Sequence, residues 1–337
     1  MEFIPVARDS QYFQQAPAPD QVAALCRAHF GSGIEILRVK ELSGGLLNST
    51  FTVEIAGMPR MILRVAQPPG ANTFFNERHL MRREYAVQPF LRPVCPQAPR
   101  ILAADFTHRL IDRDYMFVEF IEGEVWADVQ DRLSDAENAA IWRQLGFIAR
   151  RINAVRGERF GFPAPDPGYG RWSDALISWL MGMRMELVAL RRDTGGAELL
   201  VRWIAAHRAL FDQIRTPQLM HGDLWPANIL IARRPSGVEV VGVLDAERAK
   251  WGDPLFERAY HLGTPHPAFW EGYGERDQNE QAQVRALAYE GIWLVLVIME
   301  QYRFKSGSLE SAYRRLAEVN AALRQVEARY DGEPVLP

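Results

Sequence analysis

The sequence predicts an α+β protein of two lobes, a small antiparallel-sheet lobe followed by a larger, mainly helical one. Three observations carry that prediction. Residues 34–66 hold segments rich in β-branched and large apolar side chains, with turn residues between them. Beyond Gly123 the apolar residues recur at helical spacing over long stretches. A pair of short apolar runs, 229–232 and 238–244, interrupts the helices as a hairpin would. With 337 residues the chain has room for two such lobes at roughly 150 residues per domain, enough to bury a sizeable core.

The first element is a helix over 20–30 (DQVAALCRAHF), with Asp20 as a candidate N-cap and Gly31-Ser32-Gly33 as its stop. Strands follow at Ile34–Leu42, Ser49–Ile55 and Arg60–Ala66, joined by Ser43-Gly44-Gly45 and by Ala56-Gly57-Met58-Pro59, a short meander. Residues 75–91 are charged on one face and apolar on the other, a helix that must stop at Pro93, Pro96 and Pro99. Two more strands are expected at Ile101–Ala104 and Tyr115–Ile121. Helices then span Asp135–Ala154, Trp172–Arg192 and about Ala197–Ile214, and resume after the hairpin at about Gln278–Ser306 and Ser308–Arg329. The expected division is a lobe over 1–117, a hinge over 118–123 and a helical lobe over 124–337.

Charge and composition exclude several classes. Lys and Arg total 39 against 42 Asp and Glu, a net −3, with 48% hydrophobic and 24% charged residues, as in ordinary globular proteins. A near-neutral balance without a basic stripe leaves no footprint for nucleic acid. The most apolar run, Gly291–Met299, is far shorter than the ~20 residues of a membrane span and reads as a buried helix. The N-terminal stretch lacks the basic and apolar regions of an export signal, so a cytoplasmic location is expected. Two cysteines, Cys26 and Cys95, make neither a disulfide framework nor a zinc site and read as packing residues.

The chemistry lies in His221-Gly222-Asp223-Leu224-Trp225-Pro226-Ala227-Asn228, the hairpin, and then Leu244-Asp245. An aspartate five positions before an asparagine has the spacing of a kinase catalytic loop, in which the Asp accepts a hydroxyl proton and the Asn binds metal. Asp223 as a turn residue and Asn228 as a cap is the plainer alternative. What favours chemistry is order along the chain. Upstream, Ser43, Gly44 and Gly45 lead to Asn48 and Ser49 between two strands, small residues that let backbone N–H groups approach phosphates. Arg64 is a lone cation in an apolar strand, and Glu84 on the next helix is its candidate partner. Backbone groups of Glu119 and Ile121 stand where an adenine would lie between the lobes.

HGDLWPANIL (221–230) followed by GVLDAERAKWGDPLFERA (242–259) resembles the aminoglycoside phosphotransferase family, relatives of choline and fructosamine kinases with a bilobal protein-kinase-like fold. The resemblance runs from about Leu42 to Leu262. It implies Asp223 as the catalytic aspartate, Asn228 and Asp245 as Mg2+ ligands, Ser43–Ser49 as the nucleotide loop, and Arg64 with Glu84 as the phosphate cation and its partner. ATP or GTP and Mg2+ would be the cofactors. The reaction implied is phosphorylation of a hydroxyl on a small molecule, foremost an antibiotic of aminoglycoside, nucleoside or peptide type, which would inactivate it. A metabolic kinase for choline, homoserine or a ketosamine is the alternative, and a nucleotide-binding pseudokinase a more distant one. Three positions depart from the family pattern: Arg64 replaces the commoner lysine, Ile152-Asn153 replaces a Leu-His pair, and Ala246-Glu247 follows Asp245 where protein kinases have Phe-Gly.

On the acceptor side, Trp172, Trp179, Met181, Met183 and Met185 lie in helices where the family builds its pocket, and equally suit a core. Glu247 is a further candidate for metal or substrate. Between Asp166 and Arg215 the acids are matched by arginines. A polycation site should be acid-rich, so the sequence leaves room for a less cationic acceptor.

Overall fold

The structure, a computed structural model, describes residues 1–7, 14–45, 47–71, 73–257, 266–275, 277–305 and 307–329. Leu46 of the predicted nucleotide loop, residues 258–262 of the family-like segment and Ser306 at a predicted helix end lie outside the described residues.

A six-stranded sheet forms the first lobe. In chain order its elements are β1 (Glu2–Ile4), α1 (Pro19–Phe30), β2 (Ile36–Glu41), β3 (Ser49–Ile55), β4 (Met61–Val65), α2 (Leu80–Leu91), β5 (Ile101–Asp105) and β6 (Tyr115–Glu119). The spatial order is β1-β2-β3-β4-β6-β5. All neighbours are antiparallel except β1, which adds to β2 in parallel. Strict alternation drives β3 and β4: Phe51, Val53, Ile55, Leu63 and Val65 turn inward onto Val22, Leu25 and Cys26 of α1. Cys26 and Cys95 are both buried free thiols.

The helix predicted over 75–91 is two pieces. A 3-10 turn spans Phe75–Glu77, and α2 begins only at Leu80 because His79 takes a left-handed φ of 62°. Glu77 accounts for the break, since its carboxylate accepts from Phe74 N at 2.7 Å and pairs with Arg303, tying the turn to the other lobe. The strand predicted to Ile121 ends at Glu119.

Residues 120–123 connect to β7 (Glu124–Val125), which pairs with the hairpin β9 (Ile229–Arg234) and β10 (Gly237–Val243) in the order β10-β9-β7. Gly123 is required there, because a Cβ would lie 2.9 Å from Val241 Cγ2 and 3.0 Å from Ile231 O. The helices are α3 (Trp126–Val129), α4 (Asp135–Asn153), α5 (Trp172–Ala189), α6 (Gly195–Ala206), α7 (Arg208–Asp212), α8 (Pro267–Tyr273), α9 (Glu280–Phe304) and α10 (Leu309–Arg329). The start of α4 follows from a capping box, in which Ser134 Oγ and Glu137 satisfy each other's backbone N–H groups. The helix predicted over 197–214 breaks at His207, whose ring stacks on Trp203 at 4.3 Å.

Two cores fill this lobe. One joins α5, α6, α9 and α10 around Trp172, Phe256, Tyr289 and Trp293; the other joins α4 and α8 to the hairpin through Leu145, Ile229 and Phe269. Helix α9 is long and apolar enough to cross a bilayer by length and composition, a wider window than its short apolar run suggests, and 67% of that window is buried inside the protein.

Candidate active site

Two three-residue strands, β8 (Gln218–Met220) and β11 (Lys250–Gly252), pair antiparallel with Lys250 opposite Met220, so the loops leaving them lie side by side. Asn153 braces this pair: its Nδ2 donates to Leu219 O at 2.8 Å, and its own carbonyl accepts from Gln218 Nε2 at 2.6 Å. The asparagine in place of the family's histidine thus supports the loop directly. His221 is fully buried, and burial pushes its imidazole down to about 4. Neither ring nitrogen has a hydrogen-bond partner among the described residues.

Gly222 has φ 80°, and a Cβ on it would stand 2.0 Å from Arg248 O and 3.2 Å from Lys250 Nζ. Its N–H donates to Glu257 Oε1 at 2.9 Å. Asp223 follows, buried, and receives Asn228 Nδ2 on its carboxylate at 2.8 Å and on its carbonyl at 3.0 Å. Both of those bonds leave from the amide nitrogen, which keeps the amide oxygen of Asn228 available as a ligand. Leu244 N donates to Asn228 O at 2.8 Å, and this bond sets Asp245 beside the loop. Asp245 itself has a left-handed φ of 68° and opens a 3-10 turn over Ala246–Arg248.

Arg64 of β4 reaches into this arrangement from the sheet. It donates to Glu84 of α2 at 2.6 Å, Asp245 at 2.6 Å and Glu247 at 2.7 Å, while Asn48 Nδ2 donates to Glu247 at 2.9 Å. Burial opposes its charge, but the three carboxylates together raise the guanidinium above its ordinary range. Burial raises Glu84, and burial with Asp245 alongside pushes Glu247 up to about 8. One oxygen from each of Glu84, Asp245 and Glu247 lies within 4.8 Å of the others, a hard-oxygen donor set of the kind a divalent cation takes.

The loop from Ser43 to Gly45 is exposed, and Gln14 Nε2 holds its base by donating to Gly45 O at 2.9 Å and Asn48 O at 3.0 Å. Asn48 and Ser49 are buried, so only the first half of the predicted loop faces out. The N–H of Glu119 donates to Arg100 O at 2.8 Å and its carboxylate pairs with Arg100; Ile121 lies just past the strand, partly buried.

A cleft lies beside Arg248 and Lys250, with Trp179 in its wall. Trp172 is not in that wall: it is fully buried, with Nε1 donating to Tyr289 OH at 2.7 Å. Glu247 is likewise directed to Arg64 and Asn48 rather than to this cleft. Sequence reading missed Arg248, Lys250, Phe162 and Trp293, which line it. Its one signal was Lys250 itself, a cation between Ala249 and Trp251 in an otherwise buried stretch. Burial and the neighbouring Arg248 push its ammonium down to about 7.

A buried Asp–Asn loop, an acidic turn after a hairpin, and an arginine of the sheet paired with a glutamate of α2 thus converge on one site. The chain belongs to the phosphotransferase enzyme family, whose model matches residues 38–304. In fold it is similar to the wild-type aminoglycoside 2'-phosphotransferase-IIIa seen as a GDP complex, with 17% identity, TM-score 0.61, and 91% of this chain and 99% of that one covered. A protein assigned as a fructosamine-3-kinase from Thermobifida fusca YX-ER1 gives 17% identity and TM-score 0.62 over 91% of this chain and 100% of that one. The ternary complex of a thermostable aminoglycoside phosphotransferase APH(4)-Ia mutant with AMP-PNP and hygromycin B gives 17% and 0.57 over 91% and 97%. The mouse acyl-CoA dehydrogenase family member 10 is 24% identical over 262 residues, 76% of this chain, and the match spans only 23% of that protein's length.

Proposed function

We propose that this chain transfers the γ-phosphoryl group of ATP to a hydroxyl of a small-molecule acceptor in a magnesium-dependent reaction. The observation that carries the reading is the meeting of Arg64, Glu84 and Asp245 from three separate segments beside the Asp223–Asn228 pair. Phosphoryl transfer is loose, and its catalysis is chiefly positioning and charge neutralisation. Asp223 would orient the acceptor hydroxyl and take its proton late, with Asn228 fixing the carboxylate's direction. Asn228 and Asp245 would hold Mg2+, with Glu84 and Glu247 oxygens close by, and the ion would neutralise the β- and γ-phosphates. Arg64 would turn from the carboxylates toward phosphate. The exposed backbone of Ser43–Gly45 would cover the phosphates, and the base would meet backbone groups of Glu119 and Ile121.

Nucleotides and small-molecule acceptors such as kanamycin and hygromycin B in the structural neighbours support this reading. An antibiotic acceptor follows from the resemblance alone, and the charge of the cleft disfavours a polycationic one. The test is magnesium-dependent ADP release by wild type and Asp223→Asn over a panel of hydroxylated acceptors. Turnover by the wild type alone is expected; equal turnover by the variant, or none with any acceptor, would overturn the assignment.

A further inference from the structure

Helix α2 is poorly equipped to hold itself in place. No side chain among the described residues caps its first turn, His79 before it is left-handed, and Pro89 inside it removes one backbone donor. Its position is therefore set from outside, and two adjacent arginines pull it in opposite directions. Arg82 forks onto Asp114, just ahead of β6 in the sheet lobe, with Nε and Nη2 both at 2.7 Å. Arg83 forks onto Asp166 of the helical lobe, with Nε at 2.7 Å and Nη2 at 2.9 Å. Its Nη1 donates to Asn76 O at 2.7 Å, and its guanidinium lies 3.7 Å from the ring centre of Phe162. The Arg82 side chain is 32% exposed and that of Arg83 only 1%. Solvent screens the first fork and not the second, so the hold on the helical lobe is the firmer of the two.

Asp166 is itself rooted at the candidate site. It lies on the loop between α4 and α5, where Gly161 exchanges two backbone hydrogen bonds of 2.9 Å and 2.8 Å with Trp251 of β11. Strand β11 in turn pairs with β8, which leads into the Asp223 loop. Glu84, the residue after Arg83, accepts from Arg64 at 2.6 Å. Consecutive side chains leave a helix about 100° apart, so Arg83 grips the helical lobe while Glu84 meets the arginine of the sheet. The second half of α2 is held by packing, with Val87 and Leu91 in one core with Ala246 and Ala249 and the ring of Phe90 at 5.2 Å from that of Trp251. We propose that Arg83 is a positioning residue for the transfer: its fork on Asp166 sets the first half of α2 against the β8–β11 pair and so holds Glu84 where it directs Arg64. This rests on the phosphotransferase reading, in which Arg64 serves the phosphates.

The test reads affinity for ADP in the presence of Mg2+, by calorimetry on the full chain, and needs no acceptor. Arg83→Lys keeps the charge and loses the fork, and should weaken ADP binding about tenfold. In a Glu84→Gln background the same substitution should add less than about twofold, because a residue that acts through Glu84 has nothing left to position. Asp166→Asn, which leaves Arg83 its bond to Asn76, serves if Arg83→Lys fails to fold as judged by its melting temperature. A plain structural ion pair would lower the melting temperature and leave ADP affinity alone, and that result overturns the proposal. A loss of affinity that persists in full in the Glu84→Gln background overturns it as well, by showing that Arg83 acts through another group. Wild type that binds no ADP overturns the phosphotransferase reading and this inference with it, whereas wild type that binds ADP beside folded variants of equal affinity overturns this inference alone.

Discussion

Arg64 and Asp245, 181 residues apart in the chain, meet through a hydrogen bond of 2.6 Å. One lies in the sheet lobe and the other after the hairpin, so the guanidinium does the work of a cation bridging both halves of the site. With Glu84 and Glu247 also on Arg64, removal of that single charge leaves three close carboxylates without the cation they share.

Arg64→Ala should therefore lower stability by about 3–5 kcal/mol, the cost typical of orphaning a buried ion-pair partner. Millimolar Mg2+ should restore part of the lost melting temperature, because a divalent cation can take the same oxygens. Thermal melts with and without the metal read both effects, and an unchanged melting temperature would contradict the account.

Asp223→Asn keeps the shape of the side chain and removes its basicity. The expected loss in kcat is about 100- to 10,000-fold, with ATP affinity nearly unchanged. Isothermal titration with nucleotide alongside steady-state kinetics separates the two; loss of ATP binding with intact kcat would assign Asp223 to the nucleotide instead.

His221 makes stability depend on pH. Its folded value of about 4 lies below the ordinary 6.5, so between those values the unfolded chain binds a proton that the folded chain does not. Stability contributed by the neutral imidazole is then fully present above 6.5 and declines as pH falls toward 4, by roughly 3 kcal/mol in all. Denaturant unfolding of wild type and His221→Phe across that window tests the sign: the variant should show the shallower slope, and a steeper or equal one would refute it.

Gly222→Ala should cost at least roughly 2 kcal/mol, from the left-handed backbone and from contact with the Arg248 carbonyl. Because that carbonyl accepts from Lys250 Nζ, the variant should also displace the lysine. Measuring ATP affinity and chemical denaturation together distinguishes a displaced loop from a lost nucleotide site, and a variant as stable as wild type would rule the strain out.

Elements with a repeating pattern were legible before any coordinates. Ser49–Ile55 matches β3 residue for residue because its buried and half-buried positions alternate without a fault, and α4 begins where Ser134 and Glu137 announce it. Strands β1, β8 and β11 are three residues each, too short to carry a period, and owe their existence to partners far along the chain. The breaks at His79 and His207 likewise answer to tertiary neighbours. In the site, Asp223 and Asn228 are readable because they are five residues apart and local geometry joins them. The bonds that Glu247 accepts from Arg64 and Asn48 span 183 and 199 residues, and no spacing rule foretells them. Lys250 was overlooked because a lysine ordinarily signals a solvated surface, whereas the pairing of β11 with β8 carries this one inward.

Helix α9 contributes Tyr289 and Arg285 to Asp253, Ile292, Trp293 and Leu296 to the cleft wall, Glu300 to Arg248 and Arg303 to Glu77. One rod thus steadies the turn over Phe75–Glu77, the Arg248 segment and Asp253 together, so a substitution on its buried face is felt at all three places at once.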